Sequence, residues 1–297
     1  MLLAFIDLSR TTFTLVVAMV PLYATAAILW LEQLRRENDT KFPFNRRTLR
    51  PPGESLRLLV DDLDREFSDQ LFYLLASCVV LGIGAWVAYD RVGMGSFVGF
   101  LGLGAALFYS VRAFRLIRFR RRCYLGFLGE RAVGEELATL LADGWCVFHD
   151  ISFALNPGGE PMNVDHVVVG TGGIFAIETK TRRKRSLPQG GEVSFDGRTI
   201  HYPWGKEENG VLQAMEHCTR LSKMLSDALA RPLTVKPVLA LPGWTVRHQE
   251  PGDLTVVGGR DVCDVFEEER NKARLDAPTV QAIRALLEQK CREAAAR

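Results

Sequence analysis

Several things are missing from this 297-residue sequence. Six cysteines (Cys78, Cys123, Cys146, Cys218, Cys263 and Cys291) are scattered with no C-x-x-C pair. The five histidines stand at no metal-ligand spacing with them. That pattern offers neither a zinc site nor a disulfide framework, and a reducing compartment is the simpler reading. No G-x-S-x-G, Walker or H-E-x-x-H motif occurs, which removes the serine-hydrolase, P-loop and zinc-peptidase signatures. There is no internal repeat and no low-complexity tract. The formal net charge is only +2, so the whole-chain balance names no partner, although its distribution is uneven.

Long apolar runs are present. Phe13 to Leu31 is nineteen residues without a charge, Leu71 to Tyr89 is another nineteen, and Val92 to Val111 is a third, glycine-rich run. At 1.5 Å per residue each spans roughly the 30 Å of a bilayer core. A cleaved signal peptide competes for the first run, but no small-residue cleavage site follows it. The second and third runs, separated by Asp90-Arg91, read as a helical hairpin, with Gly95 and Gly99 four apart and Gly102 and Gly104 beyond. Six arginines between Arg112 and Arg122 follow directly. The positive-inside rule places them, and all that follows, in the cytoplasm. Residues 1–123 therefore read as a multi-pass anchor in the cell (inner) membrane, its partner the lipid bilayer. Its segments are 13–31, 71–89 and 92–111, with residues 32–70 a cytoplasmic insert. Within that insert Leu56, Leu59, Val60, Leu63 and Phe67 keep helical spacing opposite acidic residues. That stripe favours packing against the soluble part over lying on anionic lipid.

The informative stretch of the remainder is Asn163 to Lys180, NVDHVVVGTGGIFAIETK. Two β-branched and aromatic runs flank a glycine-rich turn, a hairpin pattern. With the loop centred on Thr171 and Gly172, paired residue numbers add to 343, so Asp165 faces Glu178. Strand alternation puts Lys180 on the face of Glu178. Two carboxylates and an ammonium then meet on one patch. Close carboxylates repel unless a cation or a shared proton relieves them. Oxygen ligands of this kind suit Mg²⁺. A lysine beside the metal can position or deprotonate water, or neutralise a developing phosphate charge. The structural alternative is an ion pair on an exposed hairpin face.

Around it, residues 124–297 read as one α/β domain. Gly129-Glu130 opens a helix to about Ala142 with an apolar stripe of Val133, Leu137, Leu140 and Leu141. Glu130 points to the buried side, and a first-turn dipole role is its structural alternative. Trp145 to Ile151 reads as a strand and Glu192 to Tyr202 as a small hairpin turning at Asp196-Gly197. Asn209 reads as the N-cap of a helix to about Leu229, with Gln213 in its first turn. Strands 234–241 and 254–257, a short helix near 260–268 and a last helix around Val280 to Leu287 complete the domain. The basic run Arg182, Arg183, Lys184 and Arg185 is either a phosphate-backbone contact or a solvated loop. Trp204 either packs or stacks on a base. His166 points away from the Asp165 face.

The order helix, strand, hairpin with Asp and Glu-x-Lys, helix, strand resembles the PD-(D/E)XK nuclease core, a mixed sheet flanked by helices. More narrowly, residues 126–260 resemble the NERD (nuclease-related) domain. The matching pieces are Gly126, Gly129, Glu130 and Val133, then V-D-H-V-V-V (Val164 to Val169), G-G-I-F-A-I-E-T-K (Gly172 to Lys180) and Gln213. The resemblance implies that Asp165 and Glu178 ligate Mg²⁺ (or Mn²⁺). It implies that Lys180 orients or activates the attacking water and that Gln213 supports it. Glu130 would be the helix carboxylate near the site, in competition with Glu135 and Glu136. Val164 stands where the superfamily has a proline before the aspartate. The expectation is a membrane-anchored, metal-dependent nuclease acting on nucleic acid, DNA rather than RNA. The alternative is a nuclease-fold module that binds nucleic acid or a protein partner at the membrane.

Overall fold

The computed structural model describes residues 49–155, 161–184 and 191–294. The apolar run 13–31, residues 32–48 of the insert and Arg185 lie outside the described residues.

Two long helices come first: α1 (Glu54–Asp90) and α2 (Val92–Leu137), antiparallel and separated only by Arg91. Both are long and apolar enough to cross a membrane. Their approach is set by glycine. A Cβ on Gly95 would stand 2.0 Å from the backbone nitrogen of Ala88, and one on Gly102 2.5 Å from that of Leu81. The expected Gly95 and Gly99 both lie on this seam, joined by Gly102, whereas Gly104 meets nothing within 4 Å. Gly99 is the surface on which Gly84 rests. The apolar side chains that leave this seam, among them Phe72, Trp86, Phe97 and Phe100, are exposed.

Beyond the apolar runs both helices continue without a break. The amphipathic stretch expected at 54–69 is the first part of α1. Its Val60 and Leu63 are buried with Cys123 and Leu116 of α2, while Leu59 is exposed. Asp64 accepts from Arg120 (Nη2, 2.8 Å) and Glu66 from Arg112 (2.9 Å). Two of the six arginines thus pair with α1. No helix opens at Gly129-Glu130, because α2 runs unbroken through Gly126, Gly129 and Gly134, where close packing of Leu56, Thr181 and Pro52 accompanies glycine's poor helix propensity. Glu130 therefore sits in mid-helix, and the dipole explanation for it falls away. The regular helix ends at Leu137, a tighter 3-10 segment runs Ala138–Asp143, and Leu141 is 57% exposed rather than part of the stripe.

The main sheet contains β1 (Cys146–Leu155), β2 (Pro161–Gly170), β3 (Gly173–Thr179), β7 (Val235–Leu241) and β9 (Thr255–Gly258), in that order. The first three are antiparallel; β3/β7 and β7/β9 are parallel. A second sheet holds β4 (Glu192–Phe195), β5 (Ile200–Tyr202), β6 (Gly205–Glu207) and β8 (Thr245–Gln249), in the order β6-β5-β4-β8. β6 and β8 were not expected; they are short and mostly exposed, so they carry no apolar pattern.

Strand alternation divides the core. Val167, Val169, Ile174 and Ala176 pack under α3 (Asn209–Leu229) and α5 (Ala277–Ala294) through Leu221, Leu225, Ile283 and Leu287. Val168, Phe175, Ile177 and Val238 pack under the end of α2 and α4 (Asp264–Arg270) through Val133, Leu137 and Phe266. Trp145, Phe175 and Phe266 form an edge-to-face group with centroids 4.9–5.9 Å apart, each burial contributing about 2–3 kcal/mol. Asn209 is the first residue of α3 rather than its cap; Glu208 precedes the helix and makes no side-chain cap.

Candidate active site

The β2–β3 hairpin pairs Gly170 with Gly173, Val168 with Phe175 and His166 with Ile177, so the paired numbers do add to 343. Gly173 has φ 142°, a conformation suited to glycine, which closes the two-residue turn. The backbone ladder ends at His166–Ile177. One residue further on, the Thr179 N–H donates to Asp165 Oδ2 at 2.7 Å, so a side chain replaces the main chain as acceptor. The strands part there, and their polar side chains open onto a pocket of about 550 Å³.

Glu130, Asp165, Glu178, Lys180 and Gln213 all line that pocket. Glu178 is 3% exposed. Its Oε1 accepts from Lys180 Nζ at 2.9 Å, and its Oε2 lies 3.0 Å from His217 Nδ1, which puts the ring proton on that nitrogen. Lys180 Nζ also donates to Gln213 Oε1 at 2.7 Å, and the Lys180 N–H is held by the Ala240 carbonyl. Glu130 reaches the pocket from α2 because Gly129 lets the helix close on β3. A Cβ at Gly129 would lie 1.8 Å from Thr181 Oγ1. Glu135 is exposed and paired with Arg131, and Glu136 does not line the pocket. Glu130 is therefore the helix carboxylate of the site.

The electrostatics follow from three carboxylates and one ammonium. Burial, then the charges of Asp150 and Glu178, push Glu130 up to about 8. Burial, then Glu178 and Glu130, hold Asp165 well above the usual carboxylate range despite Lys180 and the Thr179 N–H. Its side chain keeps some exposure at the pocket floor, and the crowding of like charge supports that direction. Burial works against the Lys180 ammonium, but Glu178 and Asp165 outweigh it and raise the group above its ordinary value. Lys180 is thus a fixed cation in this arrangement, suited to orienting water or balancing phosphate charge rather than to taking a proton.

Residues 125–242 match the nuclease-related domain family, NERD. No curated protein and no solved structure was found to match the chain. The NERD region contains all five site residues and ends just after β7. The helix pair up to residue 124, β8, β9, α4 and α5 lie outside it. The glycines of its first motif have a local reason. Gly126 receives Leu56 of α1, where a Cβ would stand 2.9 Å from Cδ1, as Gly129 receives Thr181.

Two participants were not evident from the sequence. His217 is one, although it lies four residues after Gln213 and so on the same helix face, a spacing that points to it. Asp150 is the other. It is 2% exposed, has φ 53°, and is held by Arg50 (2.9 Å), Ser55 Oγ (2.8 Å) and Asn163 Nδ2 (2.9 Å). Its partners come from two stretches, residues 50–55 and Asn163, and the first is 95 or more residues away, which no local pattern reveals. His166 lies on the core side, with Nδ1 2.9 Å from His149 Nδ1 and Nε2 3.3 Å from Thr179 Oγ1. Burial lowers both rings, His149 to about 4, so this is a neutral pair. Of the basic run, Arg182 pairs with Glu207 (Nε, 2.6 Å), Lys184 lies over Trp244, and Arg183 is exposed. Trp204 packs on Tyr202 and Trp244.

The donor set suits a hard divalent cation. It is oxygen-rich, over-charged and short of protein cations, and Mg²⁺ binds through one or two carboxylates with water and substrate phosphate completing its shell. Among the described residues, no three His, Cys, Asp or Glu side chains close on a common ligand point. Asp165 and Glu178 would be the two protein ligands, with the second Glu178 oxygen retained by His217.

Proposed function

We propose that this protein is a metal-dependent nuclease anchored in a membrane by α1 and α2, with its α/β domain on the cytoplasmic side. Its substrate would be the phosphodiester backbone of nucleic acid, DNA rather than RNA. The observation that carries this reading is the meeting of Glu130, Asp165, Glu178, Lys180 and Gln213 in one pocket, within a region matching a nuclease-related family. Mg²⁺ or Mn²⁺ held by Asp165 and Glu178 would supply Lewis-acid stabilisation of the charge that develops on the phosphate. The chain's own part is to exclude solvent around Glu178, to hold the Lys180 ammonium between Glu178 and Gln213, and to present Glu130 from α2. Lys180 orients water or the scissile phosphate. The membrane assignment rests on two long apolar helices with exposed apolar faces, and the orientation on Arg115, Arg118, Arg121 and Arg122 just beyond them.

The test is cleavage by the full-length protein in detergent, with Mg²⁺ or Mn²⁺, against its Lys180→Ala variant. Metal-dependent cutting that the variant lacks supports the reading; equal activity in the variant defeats it. One observation favours a second reading, a nuclease-fold module that only binds nucleic acid. Both oxygens of Glu178 are already engaged, by Lys180 and His217. Calorimetric titration of Mn²⁺ into wild-type and Asp165→Asn protein separates the two, since a pure binding module takes up no metal there.

A further inference from the structure

The geometry points to single-stranded nucleic acid as the substrate of this site, with the paired helices setting that preference; the inference rests on the nuclease reading above. Glu178 is 3% and Glu130 9% exposed, so the reacting groups lie at a floor, not on a surface. One wall of the pocket is built by the helix pair, through Ser55 and Leu56 of α1 and Arg122 of α2. Thr181, Arg182 and Gln213 complete the lining beside Lys180.

The helical wall is braced and does not act as a lid. The Ser55 N–H donates to Asp150 Oδ2 at 2.8 Å, Asn163 Nδ2 donates to Ser55 Oγ at 2.8 Å, and Arg50 pairs with the same Asp150. Leu56 is seated on Gly126 with no room for a Cβ between them. A space of about 550 Å³ falls in the range of sites that take one small ligand.

A phosphate that reaches Lys180 must pass the helix pair that lines the pocket. In a duplex the complementary backbone lies across grooves of about 6 and 12 Å, so a descending phosphate carries the second strand against Leu56 and Arg122. A single strand has no such companion. It can splay its bases and be tracked by cations, the usual construction for single-strand binding. Arg122 is exposed in the pocket lining, and Arg183, also exposed, follows three residues after Lys180.

Labelled single-stranded DNA and RNA, a blunt duplex of the same sequence and a duplex with a single-stranded tail test this on the full-length protein in detergent with Mn²⁺. The expected result is cutting of a single strand faster than duplex interior by about tenfold or more, with tail cutting that stops near the junction. Duplex interior cut as fast as single strand overturns the inference while leaving the nuclease reading intact. If nothing is cut, the nuclease reading fails, and fluorescence anisotropy on the same set decides the preference. Single-strand binding tighter than duplex by about tenfold supports it, and equal or tighter duplex binding overturns it. Arg122→Ala should leave the melting temperature unchanged and lower the single-strand log–log salt slope by about 0.7. An unchanged slope removes the strand from this wall.

Discussion

Glu130→Gln should stabilise the metal-free protein, and do so only where pH is high enough to ionise the native carboxyl in the unfolded chain. Glu130 is displaced upward from 4.5 to about 8 in the fold. A group raised in this way favours the folded state fully below its unfolded value, and the advantage is lost as pH climbs toward the folded one. At about 1.4 kcal/mol per pH unit, the displacement sets a ceiling of about 5 kcal/mol. The pocket admits water, so about 2–3 kcal/mol is the expected loss between pH 5 and pH 8. Glutamine has nearly the same shape and no proton to lose. In chelator, the variant should therefore melt about 5–10 °C above wild type at pH 8, with the gap closing toward pH 5. Intrinsic fluorescence reports the transition, since Trp145 and Trp244 are buried. Mg²⁺ at pH 8 should raise the wild-type midpoint more than the variant's, because a dication relieves the same repulsion. A variant that melts at or below wild type at pH 8, or a gap independent of pH, would refute the reasoning.

Lys180→Met removes the cation bonded to Glu178; chelated protein should lose about 3–5 kcal/mol as well as cutting, with Mg²⁺ restoring part of the stability in a thermal melt. Arg50→Ala leaves Asp150 buried without its guanidinium and should cost a similar ~3–5 kcal/mol, recovered largely by adding Asp150→Asn; a denaturant series on the two variants measures it. Gly129→Ala gains about 1 kcal/mol of helix propensity but forces a methyl onto Thr181, for a net loss of about 1–2 kcal/mol that Thr181→Gly should reverse. In the helix pair, Gly95→Val should lower thermal stability in detergent, whereas Gly104→Ala, which meets nothing within 4 Å, should leave it unchanged.

The hairpin was legible because its information is local. A glycine turn and two alternating runs fix a register, and the register alone brings Asp165, Glu178 and Lys180 together. Gln213 and His217 share a face by helical spacing, yet only the first carried a motif. Glu130 lines the pocket, but from mid-helix rather than from a helix start. Gly126 and Gly129 are contact points for Leu56 and Thr181 in the fold, which a reading of Gly129-Glu130 as a helix start does not convey. Asp150 was invisible because Arg50 and Ser55 reach it from a stretch some 95–100 residues away and Asn163 from the next strand. β6 and β8 escaped notice because exposed edge strands carry no apolar alternation.

The uninterrupted course of α2 constrains how this chain can vary. Nineteen positions separate Val111 from Glu130 on one rod, a rise of about 28 Å. Each residue inserted or deleted in that interval would swing Glu130 about 100° around the axis, out of reach of its neighbours. Length here can change only in whole repeats, matched on α1, so the segment between the apolar end and the pocket is a gauge of fixed calibre rather than a leash.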